Sequence, residues 1–332
     1  MNWQPLVKPI VIGDIIIDTP VFLAPMSGIS DLPFRRMVNS FGCGLLFSEM
    51  IASREMLNHS DQSLRMANID SGGDVTAVQL AGHDPQVMAE AARMCVDKGA
   101  RIIDINFGCP VKKIVKKMAG SALMQDEDLA TAIMDAVVRA VDVPVTMKTR
   151  LGWDAQNLNA PSLCQKAEGV GIQMITIHGR TREQLYKGEA DWNKIRAVKD
   201  AISIPVIANG DILTPNDAVT ALEQSGADGV MIGRGCQGKP WVIAHTMHYL
   251  QTGELLPAPS DLLPIILSHY NAMIEYYGVT KGIGLGRKHL AWYVEGMRGA
   301  CEFRNTINKE RDPDIVRQSL VDFFMVNASQ VA

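Results

Sequence analysis

Eight short apolar runs, rich in valine and isoleucine, each stop at a glycine, a proline or a polar residue, and this repeated grammar leaves very few folds open. The first four are residues 21–24 before Pro25-Met26-Ser27, 45–47 before Ser48-Glu49, 76–78 before Gln79, and 102–105 before Asn106-Phe107-Gly108-Cys109-Pro110. The others are 145–147 before Lys148-Thr149-Arg150, 175–177 before His178-Gly179-Arg180, 206–208 before Asn209-Gly210-Asp211, and 230–232 before Gly233-Arg234-Gly235. Continuous apolar runs suit strands covered on both faces, as in parallel sheets. Helical patterns fall between them. Asp84-Pro85 opens one that closes at Lys98-Gly99, Thr214-Pro215 opens another that closes at Ser225-Gly226, and residues 126–140 carry the same periodicity. Alternating strand and helix predicts an α/β fold, a (β/α)8 TIM barrel whose active site is built by the loops after the strands. Ahead of it, residues 10–12 and 15–17 flank Gly13-Asp14 and predict an N-terminal hairpin plugging the barrel floor.

At 332 residues the chain exceeds one barrel of about 250 residues, and a second domain is expected. Residues 251–260 have linker composition, and beyond them the strand pattern vanishes while helical periodicity continues. The expected division is a barrel over 1–250, a linker over 251–260 and an all-helical domain over 261–332. No stretch approaches the roughly 20 apolar residues of a membrane span. The N-terminal apolar residues are broken by Lys8, Asp14 and Asp18, unlike a signal peptide, so a cytoplasmic protein is expected. Six scattered cysteines, Cys43, Cys95, Cys109, Cys164, Cys236 and Cys301, include no Cys-x-x-Cys pair, so neither disulfides nor a metal site is expected.

A net charge of −4 argues against indiscriminate nucleic-acid binding, yet two stretches are basic. Lys112, Lys113, Lys116 and Lys117 follow Cys109, with no acid between Ile105 and Gln125. Residues 281–311 hold seven basic side chains against three acids. Within them, Arg287-Lys288-His289-Leu290-Ala291-Trp292-Tyr293 sets cations beside aromatics that could grip phosphates and stack bases. The same residues would equally make a solvated helix face with Trp292 in the core.

Most side chains capable of chemistry stand at the strand ends. Gly233-Arg234-Gly235 and Asn209-Gly210-Asp211, after the eighth and seventh runs, occupy the place where this barrel class commonly binds a phosphate. Single glycines there could be mere tight turns; paired at adjacent strand ends they favour a phosphorylated ligand. Lys148 could stabilise negative charge developing in a ligand, as on a reduced flavin, while Gln79, His178 and the backbone of Pro25-Met26-Ser27 could serve a flat heterocycle. Cys109, three residues after Asn106, could donate a proton, with nearby lysines biasing it towards thiolate.

Together, Ala24-Pro25-Met26-Ser27-Gly28, Asn106-Phe107-Gly108-Cys109-Pro110, Lys148-Thr149-Arg150-Leu151-Gly152-Trp153, His178-Gly179-Arg180, Ile207-Ala208-Asn209-Gly210-Asp211-Ile212 and Ile232-Gly233-Arg234-Gly235 resemble the tRNA-dihydrouridine synthases, in particular their bacterial B-type branch. The resemblance extends into the tail through Arg287-Lys288-His289-Leu290-Ala291-Trp292-Tyr293 and Phe303-Arg304-Asn305. It implies an FMN-binding barrel with a helical tRNA-binding domain, reducing uridines of the dihydrouridine loop with NADPH. Pro25, Met26, Ser27, Gln79, Lys148 and His178 are then expected to hold the flavin ring and ribityl chain. Asn209, Gly210, Asp211, Gly233 and Arg234 are expected at its phosphate end. Asn106, Arg150 and His178 would line the uracil pocket, Arg287 and Lys288 would contact tRNA, and Cys109 would protonate carbon 5 after hydride reaches carbon 6. The uridine must leave its stack, at a cost of about a few kcal/mol. A monomer with no protein partner is expected. The alternatives are an FMN barrel acting on a free pyrimidine, like a dihydroorotate dehydrogenase, a barrel that binds a sugar phosphate without redox chemistry, and a silent RNA-binding module.

Overall fold

The computed structural model describes residues 4–69, 76–115 and 118–328. Its strands, in chain order, are β1 (Ile10–Ile12), β2 (Ile15–Ile17), β3 (Val21–Leu23), β4 (Leu46–Phe47), β5 (Ile51–Ala52), β6 (Thr76–Ala81), β7 (Ile102–Asn106), β8 (Val145–Arg150), β9 (Ile175–His178), β10 (Val206–Asn209) and β11 (Gly229–Ile232). All eight runs form strands. They pair in parallel in the order β3-β11-β10-β9-β8-β7-β6-β4, and Phe22 pairs in parallel with Leu45 to close the ring. Both faces are covered, as the unalternating runs required: β6, β7, β9, β10 and β11 are buried at every position.

The connecting helices follow their sequence signals. Asp84 caps Pro85–Asp97 by accepting from the N–H groups of Gln86 and Val87, and the helix buries Met88, Ala91, Ala92 and Cys95. Pro215–Ser225 begins with a reciprocal capping box between Thr214 and Asp217 and ends at Gly226, whose φ of 63° is left-handed. Asp126 likewise caps Glu127–Val138.

The hairpin is antiparallel, with Ile12 opposite Ile15. Ile10, Ile12, Ile15 and Ile17 pack against Phe22, Phe47, Ala77, Ile102, Met174, Ile207 and Met231, which fill the floor of the barrel. Side chains two apart on a strand share a face, so these floor positions define the inward direction of each strand. Two residues on, the inward positions are Gln79, Asp104, Thr176, Asn209 and Gly233; two further on stand Asn106, His178 and Asp211. The barrel interior therefore changes from apolar at the hairpin to polar at its opposite end, the mouth.

Two expectations about the strands are corrected. Gln79 does not follow a strand, since pairing of β5 with Leu80 and Ala81 carries β6 two residues past it. Lys148 does not end one either, because Thr149 and Arg150 continue β8 opposite Ile177 and His178.

The chain divides into two compact units, Met1–Gly235 with Val242–Leu255, and Cys236–Trp241 with Leu256–Ala332. Helix Val242–Thr252 takes up the first two residues of the expected linker, and the Gln251 amide bonds the Thr19 hydroxyl. The second unit contains helices Leu263–Tyr277, Val279–Tyr293, Ala300–Lys309 and Pro313–Ala328 around a core of Ile266, Tyr270, Ile283, Leu290, Phe303, Ile307 and Leu320. Among the described residues no helix is long and apolar enough to cross a membrane, and no cluster of three or more His, Cys, Asp or Glu is disposed to hold a metal ion.

Candidate active site at the barrel mouth

The turn that carries Cys109 is organised from inside the barrel. Asn106, the last residue of β7, accepts through Oδ1 from the backbone N–H groups of Gly108 at 3.1 Å and Cys109 at 2.9 Å. The Cys109 carbonyl in turn accepts from the Ser121 hydroxyl at 3.0 Å and the Ser121 N–H at 3.1 Å. Burial raises the proton affinity of the thiol; the Val111 backbone, Arg150 and Lys148 pull it down without prevailing. The expectation of a thiolate bias is thus reversed: desolvation outweighs the neighbouring cations and Cys109 holds its proton. Of the lysines expected beside it, Lys112 and Lys113 begin the short helix Lys112–Val115, whereas Lys116 and Lys117 lie outside the described residues.

Beneath the turn runs a buried polar chain. Asn106 Nδ2 donates to Gln79 Oε1 at 2.7 Å, Gln79 Nε2 donates to Asp104 Oδ2 at 2.6 Å, and the Thr146 hydroxyl donates to Asp104 Oδ1 at 2.6 Å. Strand register places Gln79, Asp104 and Thr146 side by side across β6, β7 and β8, and sets Asn106 beside Lys148 one pleat nearer the mouth. Burial lifts the Asp104 carboxyl to about 6 against the pull of Gln79, Thr146 and Lys148. Half-buried Lys148 drops to about 8, through burial first and Arg150 next. His178 falls well below its ordinary 6.5 for the same reasons, burial first and then Lys148, Arg150, Arg180 and Arg234. Since a guanidinium only donates, the 3.4 Å contact of Arg180 Nη1 with His178 Nε2 places the imidazole proton on Nδ1. Burial chiefly, and the crowding of Lys148, Arg150, Arg180 and Arg234 after it, lower these proton affinities, and a ligand carrying or developing negative charge would offset the charge crowding.

Two buried arginines shape the rim. Arg150 donates from Nε to the Gly108 carbonyl at 2.8 Å and from Nη1 to the carbonyls of Thr181 at 2.8 Å and Leu185 at 2.9 Å, tying the cysteine turn to the loop after β9. Arg180 donates to the carbonyls of Lys187 and Gly188 and grips Asp211 through both terminal nitrogens, at 2.9 and 2.5 Å. Asp211 also accepts from the Ala190 N–H at 2.8 Å and from Arg234 at 3.1 Å. Burial would raise its carboxyl, but Arg180 and these partners hold it below the usual range. Gly210, at φ 111°, has no room for a side chain, since a Cβ would stand 2.7 Å from the His178 ring. The neighbouring Asn209 donates to the Met231 carbonyl at 2.8 Å. Arg234 is half-exposed beside Gly233 and lies 5.4 Å from the ring centre of Tyr186.

Beside Gly233, on the loop after β3, Pro25 and Met26 are half-buried and Ser27 is exposed. The Met26 N–H donates to the Ser30 hydroxyl at 2.8 Å, and buried Glu49 accepts from the Gly28 N–H at 2.5 Å. In the helical unit Arg287 donates to the Ile307 and Glu310 carbonyls, Tyr293 is buried, and half-buried Trp292 packs edge-on against His289. The structure thus gathers the barrel residues at one mouth and places Arg287 and Lys288 in the other unit. Sequence reasoning did not single out Asp104, Arg180, Glu49 or Tyr186. For Asp104 and Arg180 the available signal was period-two polarity, Asp104 with Asn106 and Thr176 with His178 and Arg180, beginning inside runs read as continuously apolar and continuing past their ends.

Comparison with known proteins bears on this geometry. Residues 22–328 match the family described as "Dihydrouridine synthase (Dus)". A "Probable tRNA-dihydrouridine synthase" of Rickettsia bellii is 54% identical over 318 residues, 95% of this chain and 98% of that protein. A "tRNA-dihydrouridine synthase B" of Pseudomonas aeruginosa is 46% identical over 94% of this chain and 95% of its own, and one of Salmonella typhimurium 46% identical over 94% and 98%. Among solved structures, a histamine dehydrogenase from Rhizobium sp. 4-9 superposes with a TM-score of 0.58 at 14% identity, and a 2-naphthoyl-CoA reductase with 0.57 at 15%. The matched parts cover 82% and 74% of this chain and about half, 51% and 52%, of those larger chains, a likeness of fold.

Proposed function

The chain belongs to the dihydrouridine synthase family, and on that premise we propose that its barrel mouth reduces uridines in the dihydrouridine loop of tRNA to 5,6-dihydrouridine, with Cys109 as the proton donor. FMN is the cofactor and NADPH the reductant; bound FMN supplies hydride to carbon 6 of the uracil ring. The residues fit such a group. The half-buried Lys148 amine with Arg150 near it, and a neutral His178, suit a heterocycle that gains negative charge on reduction. At Gly233 the nearest side chains would lie 3.6 Å or more from a Cβ, which leaves the backbone approachable by a phosphate.

In this reading Pro25, Met26, Ser27, Gln79, Lys148 and His178 hold the ring and ribityl chain. Asn209, Gly210, Gly233 and Arg234 receive the phosphate, and Asp211 orients Arg234 through their 3.1 Å contact. Asn106 and His178 face the uracil, and Arg150 holds the cysteine turn above it through the Gly108 carbonyl. Cys109 gives its proton to carbon 5 and is restored from solvent. The observation that carries the assignment is the placement of Cys109: Asn106 and Ser121 hold its backbone on a turn at the mouth, where the thiol is half-buried, and burial raises its proton affinity. A proton donor needs the protonated thiol, whereas a nucleophile needs the thiolate.

In the helical unit, Lys288 and the remaining terminal nitrogen of Arg287 contact tRNA phosphates, and the enzyme works as a cytoplasmic monomer. The test is mass mapping of dihydrouridine in tRNA from cells lacking the gene. Wild-type protein should restore the modification and Cys109→Ala should not; restoration by the alanine variant rejects the assignment.

A further inference from the structure

We infer that Asp104 is a positioning residue that fixes the direction of the hydrogen-bond chain Asp104–Gln79–Asn106 and thereby the turn that presents Cys109. The inference rests on the reading of Cys109 as proton donor. Primary amides can be seated in two orientations, and a chain of two of them has a direction only if its ends impose one. Here both ends do. An ionised carboxylate only accepts, so Asp104 Oδ2 draws Gln79 Nε2 towards it, at 2.6 Å. That turns Gln79 Oε1 to Asn106 Nδ2, at 2.7 Å, and leaves Asn106 Oδ1 for the backbone N–H groups of Gly108 and Cys109 at 3.1 and 2.9 Å. Those N–H groups only donate, so the far end demands the same direction. The second Asp104 oxygen is held by the Thr146 hydroxyl at 2.6 Å, which fixes the carboxylate plane.

Asp104, Gln79 and Thr146 are fully buried, and their strands are in register at these positions, so bulk water does not reach the carboxylate or the Gln79 amide. If Asp104 is lost, Gln79 Nε2 faces a buried position with no acceptor. The low-cost escape is an amide flip, which sets Gln79 Nε2 against Asn106 Nδ2 and breaks the support of the turn.

The experiment compares Asp104→Leu, Asp104→Asn and Cys109→Ala as flavin-loaded proteins. Two readouts are used: steady-state kinetics on tRNA, and the pH profile of Cys109 alkylation by iodoacetamide without tRNA. Asp104→Leu should lower kcat by about 10²-fold at near-constant KM for tRNA, as a misplaced reacting group does, and should shift the alkylation profile. Asp104→Asn should rescue both, since its carbonyl can still accept from Gln79 while its NH2 donates to the Thr146 oxygen. Should Asp104→Leu fail to fold, Asp104→Ala removes the same acceptor without added bulk and is expected to give the same pair of effects. Wild-type kinetics and alkylation in the variant that folds overturn the inference. So does equal loss in Asp104→Asn and Asp104→Leu, which would assign the effect to charge. Full activity in Cys109→Ala would instead overturn the reading beneath it, whatever Asp104 does.

Discussion

At the floor of the barrel, inward-facing Phe22, Phe47, Ala77, Ile102, Met174, Ile207 and Met231 pack on the isoleucines of the N-terminal hairpin. At the mouth, the inward positions of these strands hold Gln79, Asp104, Asn106, His178 and Asn209, and β8 adds Lys148 beside Asn106. The scaffold is one and the parity is the same, yet the physical rules differ. Floor groups need only volume and shape, and gain from leaving water. At the mouth, Arg150, Arg180 and Gln79 lose hydration on burial and persist because partners are supplied from other strands or loops: Arg150 by Gly108, Thr181 and Leu185, Arg180 by Asp211, Gln79 by Asp104. Hydration loss left uncompensated appears as altered proton affinity at Asp104, Cys109, Lys148 and His178. Stability thus resides at one end and reactivity at the other.

The sharpest way to break this division is Cys109→Ala. A positioned proton donor contributes about 10²–10⁴-fold, so uridine reduction should fall by that factor in single-turnover assays. The thiol makes little of the turn's structure, whose bonds run through the Cys109 backbone, so urea unfolding should move by less than about 1 kcal/mol. A large loss of stability would show the mouth to be structural after all.

Ile12→Ala is the mirror experiment. Ile12 is fully buried at the floor, and truncation should lower unfolding free energy by about 2–5 kcal/mol while kcat per folded molecule stays unchanged. A parallel fall in kcat would mean that the two ends are coupled through the strands.

The next contrast is a matter of pH. Asp104 is raised from an ordinary 3.8 to about 6 by burial. Its contribution is fully present below the unfolded value; between the two values the folded state holds the proton that the unfolded chain has released. Stability is therefore lost as pH rises through about 6, on the order of 3 kcal/mol in total. Buried His178, His269 and His289, whose proton affinities are lowered, tilt stability the other way over this range, so the Asp104 slope is read as the difference between wild type and Asp104→Asn in urea titrations from pH 4 to 7. Ile12→Ala should displace the whole curve without altering its shape, because the floor cluster holds no titrating side chain.

Much of this was legible in the chain. The strands, the hairpin and the capped helices follow from local rules that operate within a dozen residues, and the strand ends were marked by their glycines, prolines and polar residues. The reading of residues 102–105 as one apolar run hid Asp104, because coverage on both faces was taken to mean apolarity on both. In a closed barrel the inward face near the mouth is buried and polar together. The fate of Arg150 and Arg180 was not legible for a different reason. Their motifs name the side chains, but the carbonyls that receive them belong to a loop whose path is set by tertiary structure. The balance at Cys109 was misjudged similarly: cations can be counted along a chain, whereas desolvation exists only once it has folded.

The smallest expected effect separates the two ends by a pair of glycines. Gly226 and Gly210 both have left-handed backbone, at φ 63° and 111°. Gly226 closes helix Pro215–Ser225, and a Cβ there would meet only the end of the Arg196 side chain, which is solvent-exposed and can move aside. Gly226→Ala should therefore cost about 1–2 kcal/mol of stability for the left-handed residue and leave kcat unchanged. At Gly210 the same methyl meets the His178 ring and Ala190 Cβ at 2.7 and 2.8 Å, neither of which has a free direction to yield. Its backbone strain is comparable, but the displacement passes into the site, so the loss should be read in kcat and in flavin retention. If Gly226→Ala lowers kcat as Gly210→Ala does, left-handed strain itself is transmitted along the strands, and the separation of a stabilising end from a reactive one no longer holds.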